Sequence, residues 1–226
     1  MIEFLLVAWL GTNLGSPDLE KGRNTQDRAA LERIAASASA AAEKQSNDAA
    51  AQYKVALAQS YIAEVAIETR EKSQAQAAAE AGMKAAERAT ALKPDVSEYH
   101  RILGTLCGQE ASSAPILVAM KYGRCALDEV NKAIQLDPKS GLNYLSRGIG
   151  SYYLPTAFGG GTELAIKDFQ KAIELDAQSD EAHLWMGLGL RKLKRDAEAR
   201  AEFKKSLELN PTRVWTKQQL EKTPAQ

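Results

Sequence analysis

Four segments of this chain end the same way. They are AAERATALKPD (85–95), VNKAIQLDPKS (130–140), FQKAIELDAQS (169–179) and FKKSLELNPTR (203–213). Each reads as a helical stretch closed by a leucine, a polar residue and a proline-type stop. Pro94, Pro138, Ala177 and Pro211 hold equivalent places, and the steps between them are 44, 39 and 34 residues. A step of 34 fits one helix–turn–helix unit, and the other two steps are the same length with ten and five residues added. Insertions of that size belong in loops, so they are expected between the two helices of a unit. Such a chain cannot bury its apolar faces one unit at a time. The units have to stack.

Residues inside the units identify the type. In 180–213, His183, Met186, Gly187, Leu190, Ala199, Phe203, Ser206 and Pro211 fall on the family pattern. In 141–179 the matches are Tyr144, Gly148, Ala165, Phe169 and Ala172, with Ala177 in place of proline. In 97–140 they are Leu103, Gly104, Ala126, Ala133 and Pro138. The chain thus resembles bacterial members of the tetratricopeptide-repeat family. The resemblance implies an all-α fold, a right-handed superhelical stack of antiparallel helix pairs. The expected units are 48–95, 97–140, 141–179 and 180–213, followed by a capping helix at 213–221. Gly104, Gly148 and Gly187 are expected to face Ala126, Ala165 and Ala199, so that paired helices approach closely.

Upstream of these units, Thr25–Glu43 reads as a further helix capped by Thr25 or Asn24. The long helices expected next are Asp48–Thr69 and Ser73–Leu92. Twenty-four alanines lie between Ala29 and Ala91. Alanine pairs pack tightly but bury little area, so this end is expected to be less stable per residue. Pro17 to Asn24 reads as a polar linker. Phe4 to Leu10 is an apolar run too short to span a bilayer. It has the length of an export-signal core, but Glu3 stands where a basic residue is expected and no clean cleavage site follows. A short helix or strand packed on the body, or a shortened gene start, are the other readings. Residues 1–22 are therefore set apart as a signal-like segment and linker, with export slightly favoured over a cytoplasmic location.

Composition narrows the function. Twenty-nine basic residues balance twenty-nine acidic ones, which argues against a nucleic-acid surface. Two histidines and two cysteines leave little for metal or acid–base chemistry. His100 and His183 hold the same repeat position and read as packing residues. A zinc site from these two with Cys107 and Cys125 lacks the ligand spacing of known sites. Cys107 and Cys125 flank the ten-residue insertion and could close it as a disulfide; the alternative is two small buried apolar residues. The FGGGT segment (158–162) lacks the lysine of a nucleotide loop and reads as a sharp turn before a helix capped by Thr162. Tyr152, Tyr153, Leu154 and Phe158 are expected as an apolar knot, turned toward the inner groove or bracing the next unit. No catalytic constellation, cofactor or metal is expected.

The family resemblance also implies a working surface, because the first helix of each unit lines the concave face. Arg101 then lies at one end of that face. Leu142, Leu145, Ile149, Tyr152, Tyr153, Leu184 and Leu188 form an apolar strip, and Arg191 and Lys192 lie at the other end. The ninth positions, Thr105, Ile149 and Leu188, lack the asparagine of members that grip a chaperone's C-terminal carboxylate. The expected function is a non-catalytic scaffold binding a protein or peptide partner through this groove, unless the chain's own insertion or C-terminal helix fills it. The alternative is a carrier of a small-molecule or lipid-like ligand for a solute-uptake system.

Overall fold

The computed structural model describes residues 16–113 and 116–225. The apolar run at 4–10, and with it the export reading, lies outside the described residues. Among those described there is no strand, and no helix is long and apolar enough to cross a membrane. The helices are α1 (Pro17–Asn24), α2 (Arg28–Lys44), α3 (Ala49–Glu68), α4 (Lys72–Leu92), α5 (Ser97–Ser113), α6 (Ile116–Leu136), α7 (Gly141–Tyr153), α8 (Thr162–Leu175), α9 (Asp180–Lys192), α10 (Asp196–Leu209) and α11 (Val214–Glu221), with a 3₁₀ turn at Thr156–Phe158. Consecutive helices pair α3 with α4, α5 with α6, α7 with α8 and α9 with α10. The first helices α3, α5, α7 and α9 also touch in series, which makes them the inner layer.

Local chemistry starts several helices. Asp27, Asp48 and Ser179 cap α2, α3 and α9 by accepting from Ala30, Ala50 and Ala182 N–H. The cap of α2 is therefore Asp27; Thr25 instead donates to the Lys21 carbonyl. Pro17–Asn24, expected as a linker, is a helix. Ser16 accepts from Leu19 N–H, Pro17 occupies the first turn, and Leu19 and Gly22 are buried. Thr162 is not a cap either. Gly161, at φ 125°, stands at the α8 cap position, and Arg213 stands at that of α11.

The two insertions take different forms. That of the 141–179 unit holds Pro155 and three glycines, and it leaves the helix for a short turn. That of the 97–140 unit adds turns to both partners: α5 and α6 run to 17 and 21 residues, against 13 and 14 for α9 and α10. Cys107 and Cys125 consequently lie inside helices rather than at the mouth of a loop. They are joined by a disulfide with the Cα atoms 5.9 Å apart.

Close packing is built on repeated positions. A Cβ on Gly148 would stand 2.5 Å from the Phe169 ring, one on Gly187 2.6 Å from Phe203, and one on Gly104 2.6 Å from Val130. The glycines thus make room mainly for the large residue one turn beyond each expected alanine. Ala126, Ala165 and Ala199 are buried beside them. Two cores result. The one from α1 to α6 is rich in alanine, with Leu31, Ile102 and Leu106 at its centre. The one from α7 to α11 is built on Phe169, Phe203, Trp185 and Leu184. Helix α9 is buried without interruption from Ala182 to Leu190, so it is the axis of the second core.

Candidate functional site

Residues from α7, α9 and α11 meet around Trp185, which nothing in the repeat pattern singled out. Tyr152 and Tyr153 of α7 pack edge-on to Trp185 with centroids 5.6 and 5.9 Å away, and Trp215 of α11 packs on it at 5.4 Å. The C-terminal helix therefore covers part of the inner face. Of the expected strip, Leu145, Leu184 and Leu188 are core residues, Ile149 and Tyr152 are half-buried, and Leu142 and Tyr153 are exposed. Of the apolar knot, Phe158 is exposed, and Leu154 instead packs near Gly123 and Gly160.

The polar ends of the strip are engaged internally. Arg101 donates from Nε and Nη2 to Glu98, and its Nη1 reaches Ser146 Oγ of α7 at 3.3 Å. Glu98 also accepts from the Tyr53 hydroxyl at 2.7 Å. Burial opposes ionisation of Glu98, yet the guanidinium of Arg101 holds its carboxyl below the ordinary range. Arg191 donates to the Gln219 side chain (2.7 Å) and to Thr223, tying α9 to α11. Lys192 Nζ donates to the Tyr152 carbonyl at 2.7 Å and lies 4.1 Å from the centre of that ring.

The densest chemistry on the inner face lies where the two ends of the stack meet. Arg213, fully buried at the start of α11, donates from Nη2 to Glu64 Oε1 (2.6 Å) and Glu68 Oε1 (2.5 Å) of α3. Its Nη1 donates to Glu68 Oε2 and to the Arg23 carbonyl. Glu181 of α9 lies 3.5 Å from Arg213 and 3.6 Å from Arg23, and it accepts from Trp185 Nε1 at 3.0 Å. Gln26 donates to Glu68 and accepts from Gln218. Burial pushes the Glu64 carboxyl up to about 8, with Arg23 pulling against it and Glu181 adding to it. Burial also raises Glu68 against the pull of Arg213. Burial opposes the charge on Glu181, but Arg213 and Arg23 hold its carboxyl below the ordinary range. The one local signal for this cluster was the pair Glu64 and Glu68, four residues apart on an otherwise apolar helix.

The histidines are buried, as packing residues would be, and each also hydrogen-bonds a carboxylate. His100 Nδ1 meets Glu129 Oε2, and His183 Nδ1 meets Glu202 Oε2, each at 2.6 Å. In the 141–179 unit Asp168 takes the acidic place, and Arg147 binds it through two nitrogens at 2.7 and 2.9 Å. Glu129, Asp168 and Glu202 follow each other by 39 and 34 residues, the same steps as the repeat stops. Each pair joins the two helices of one unit. No group of three or more His, Cys, Asp or Glu among the described residues is placed to hold a metal. On the outer side an open cleft of about 580 Å³ runs between α8 and α10 over Met186 and Leu190; at its rim Arg195 pairs with Glu198 and His183 hydrogen-bonds Glu202.

A family model for the tetratricopeptide repeat matches residues 180–213. Among solved structures, TTC0263, a thermophilic TPR protein of Thermus thermophilus, is similar at a TM-score of 0.64 and 18% identity, covering 90% of this chain and 97% of that one. MamA (residue 41 to the end) from Desulfovibrio magneticus RS-1 aligns at 0.47 and 17% identity over 88% and 98% of the two chains. YrrB, described as a TPR protein with an unusual peptide-binding site, aligns at 0.44 and 17% over 92% of each. A search of curated proteins gives no match. By its matched last unit and its stack of helix pairs, the chain carries a tetratricopeptide repeat and has the tetratricopeptide-repeat fold.

Proposed function

We propose that the chain is a non-catalytic scaffold that holds a protein or peptide partner against the inner face of the stack. The observation that carries this reading is a pair of apolar side chains left uncovered on α7. Leu142 is 49% exposed and Tyr153 48%. Eleven residues make about three helical turns, so the two lie along one side of the helix, roughly 16 Å apart. The aromatic cluster on Trp185 stands behind Tyr153. Apolar side chains at that spacing suit the apolar side of a short helix or an extended peptide. The balanced charge of the chain argues for a protein or peptide over a nucleic acid. The charged groups near the face are paired with one another, which suits a rigid binding surface better than acid–base catalysis.

The experiment is affinity capture from the cell of origin with the wild-type chain and with a Leu142→Asp/Tyr153→Asp variant. The same partner should be retained by the first and lost by the second, with both giving the same helical circular dichroism. Leu145 is unsuitable for this purpose because it is a core residue, and Asp there would unfold the chain. Equal retention by the two proteins would reject the inner face as the binding surface.

A further inference from the structure

The inner face already holds a ligand-like segment of the chain itself. Arg213 fills a pocket whose walls carry Glu64 and Glu68 of α3 and Glu181 of α9, and no part of its side chain reaches solvent. Two residues on, Trp215 lies against Trp185. The contacts between the two ends of the stack in this region are polar ones: Arg213 to the Arg23 carbonyl, Arg23 to Glu181, and Gln218 to Gln26. Helix α11 is fastened at its far end, where Arg191 binds Gln219 and Thr223 and Arg200 donates to the Leu220 and Thr223 carbonyls. Residues 211–213 and the first turn of α11 could therefore leave the pocket while the rest of α11 stays attached.

The pocket is built for a guanidinium. Both terminal nitrogens of Arg213 bind Glu68, and one of them binds Glu64 as well, a forked arrangement that an ammonium cannot reproduce. Without Arg213, the carboxyl groups of Glu64, Glu68 and Glu181 would keep Arg23 as the cation beside them, with Gln26 and Trp185 as neutral donors. The pocket also adjoins the exposed part of the inner face through Trp185, whose indole donates to Glu181 and whose ring packs against Tyr153.

We propose that the inner face recognises a segment bearing an arginine and an aromatic residue two positions later, and that Arg213 and Trp215 occupy this site as an internal competitor until an arginine-bearing partner peptide displaces them. This rests on the scaffold reading and names the chemistry of the partner. Arginine supplies the positive charge and the forked donors that this cluster of carboxyl groups accepts, the aromatic extends the Trp185 cluster, and the remainder of the peptide lies along Tyr153 and Leu142.

The test uses the full chain and a fluorescein-labelled peptide with the sequence of residues 210–220, NPTRVWTKQQL. Arg213→Ala empties the pocket, so this variant should bind the peptide at least about tenfold more tightly than wild type by anisotropy. Replacing the peptide's arginine with leucine should weaken binding to the variant by about thirtyfold or more. Methylguanidinium should raise the melting temperature of Arg213→Ala and leave wild type unmoved. Arg213→Lys keeps the charge and loses the fork, so it should fall between wild type and Arg213→Ala; it replaces the latter in every comparison if Arg213→Ala does not fold. Equal affinity of wild type and variant, or indifference to the peptide's arginine, would overturn the arginine site. If that happens while Leu142→Asp/Tyr153→Asp still loses the partner, the scaffold reading stands alone. A partner indifferent to Leu142 and Tyr153 overturns the scaffold reading, whatever the peptide does.

Discussion

Arg213 and Glu68 are 145 positions apart in the chain, and both side chains are all but sealed from solvent where they meet. Their ion pair, with Glu64, Glu181 and Arg23 around it, joins the beginning of the stack to its end. Removing the guanidinium leaves the carboxyl groups of Glu64, Glu68 and Glu181 in a buried site without their main cation. Arg213→Ala should therefore cost about 3–5 kcal/mol of unfolding free energy. Urea denaturation followed by circular dichroism measures this, and a loss below about 1 kcal/mol would show that the cluster does not fasten the ends.

The same cluster predicts a pH dependence. The folded chain keeps the Glu64 proton up to about 8, whereas the unfolded chain releases it in the ordinary carboxylate range. Between those limits the folded state holds more protons, so stability falls as pH rises. Glu68, raised by the same burial, acts in the same direction. Denaturation midpoints should decline from pH 6 to pH 9, and Glu64→Gln, which cannot ionise, should reduce the slope. A midpoint that rises over this range would contradict the assignment.

Glycines of the inner helices should respond in opposite ways to alanine. A Cβ on Gly187 would strike Phe203 at 2.6 Å, so Gly187→Ala should destabilise by about 1–3 kcal/mol despite alanine's better helix propensity. Gly150, on α7, has nothing within 4 Å of the added atom, and Gly150→Ala should stabilise by about 0.5–1 kcal/mol. Thermal melts of the two single variants suffice, and shifts of the same sign would refute the packing argument.

Cys107 and Cys125, 18 residues apart, tie α5 to α6. Replacing both with alanine should lower stability by about 3 kcal/mol under oxidising conditions, the loop-closure value for a bridge of this span. Reducing agent should then lower the wild-type midpoint and leave that of the double variant in place. An unchanged wild-type midpoint on reduction would mean that the bridge contributes nothing to stability.

Helices, their stops and the stacking principle were legible in the residues alone. A helix is specified within a few turns by propensity, capping side chains and the spacing of apolar positions, and the four proline-type stops marked its recurrence. Gly148 and Gly187 announced close approach, although their partners proved to be the rings of Phe169 and Phe203. The Glu129, Asp168 and Glu202 pairings also follow the repeat, once the insertions are removed from the count.

Other features needed the folded chain. The inserted residues of the 97–140 unit lengthen two helices, while those of the 141–179 unit leave the helix for a short turn, although both insertions contain proline and glycine; a count of extra residues does not separate these outcomes. Which inner-face residues are exposed was decided by how the helices pack: Leu145, Leu184 and Leu188 are core, Leu142 and Tyr153 stay open, and Trp215 of α11 covers Trp185. Nothing near Arg213 in the chain distinguishes it from a surface arginine, since its partners lie on α3 and α9. Local periodicity sets what each segment becomes, whereas the curvature accumulated over the whole stack decides which distant segments meet. That curvature is a sum of small packing angles between units, and no single stretch of residues contains it.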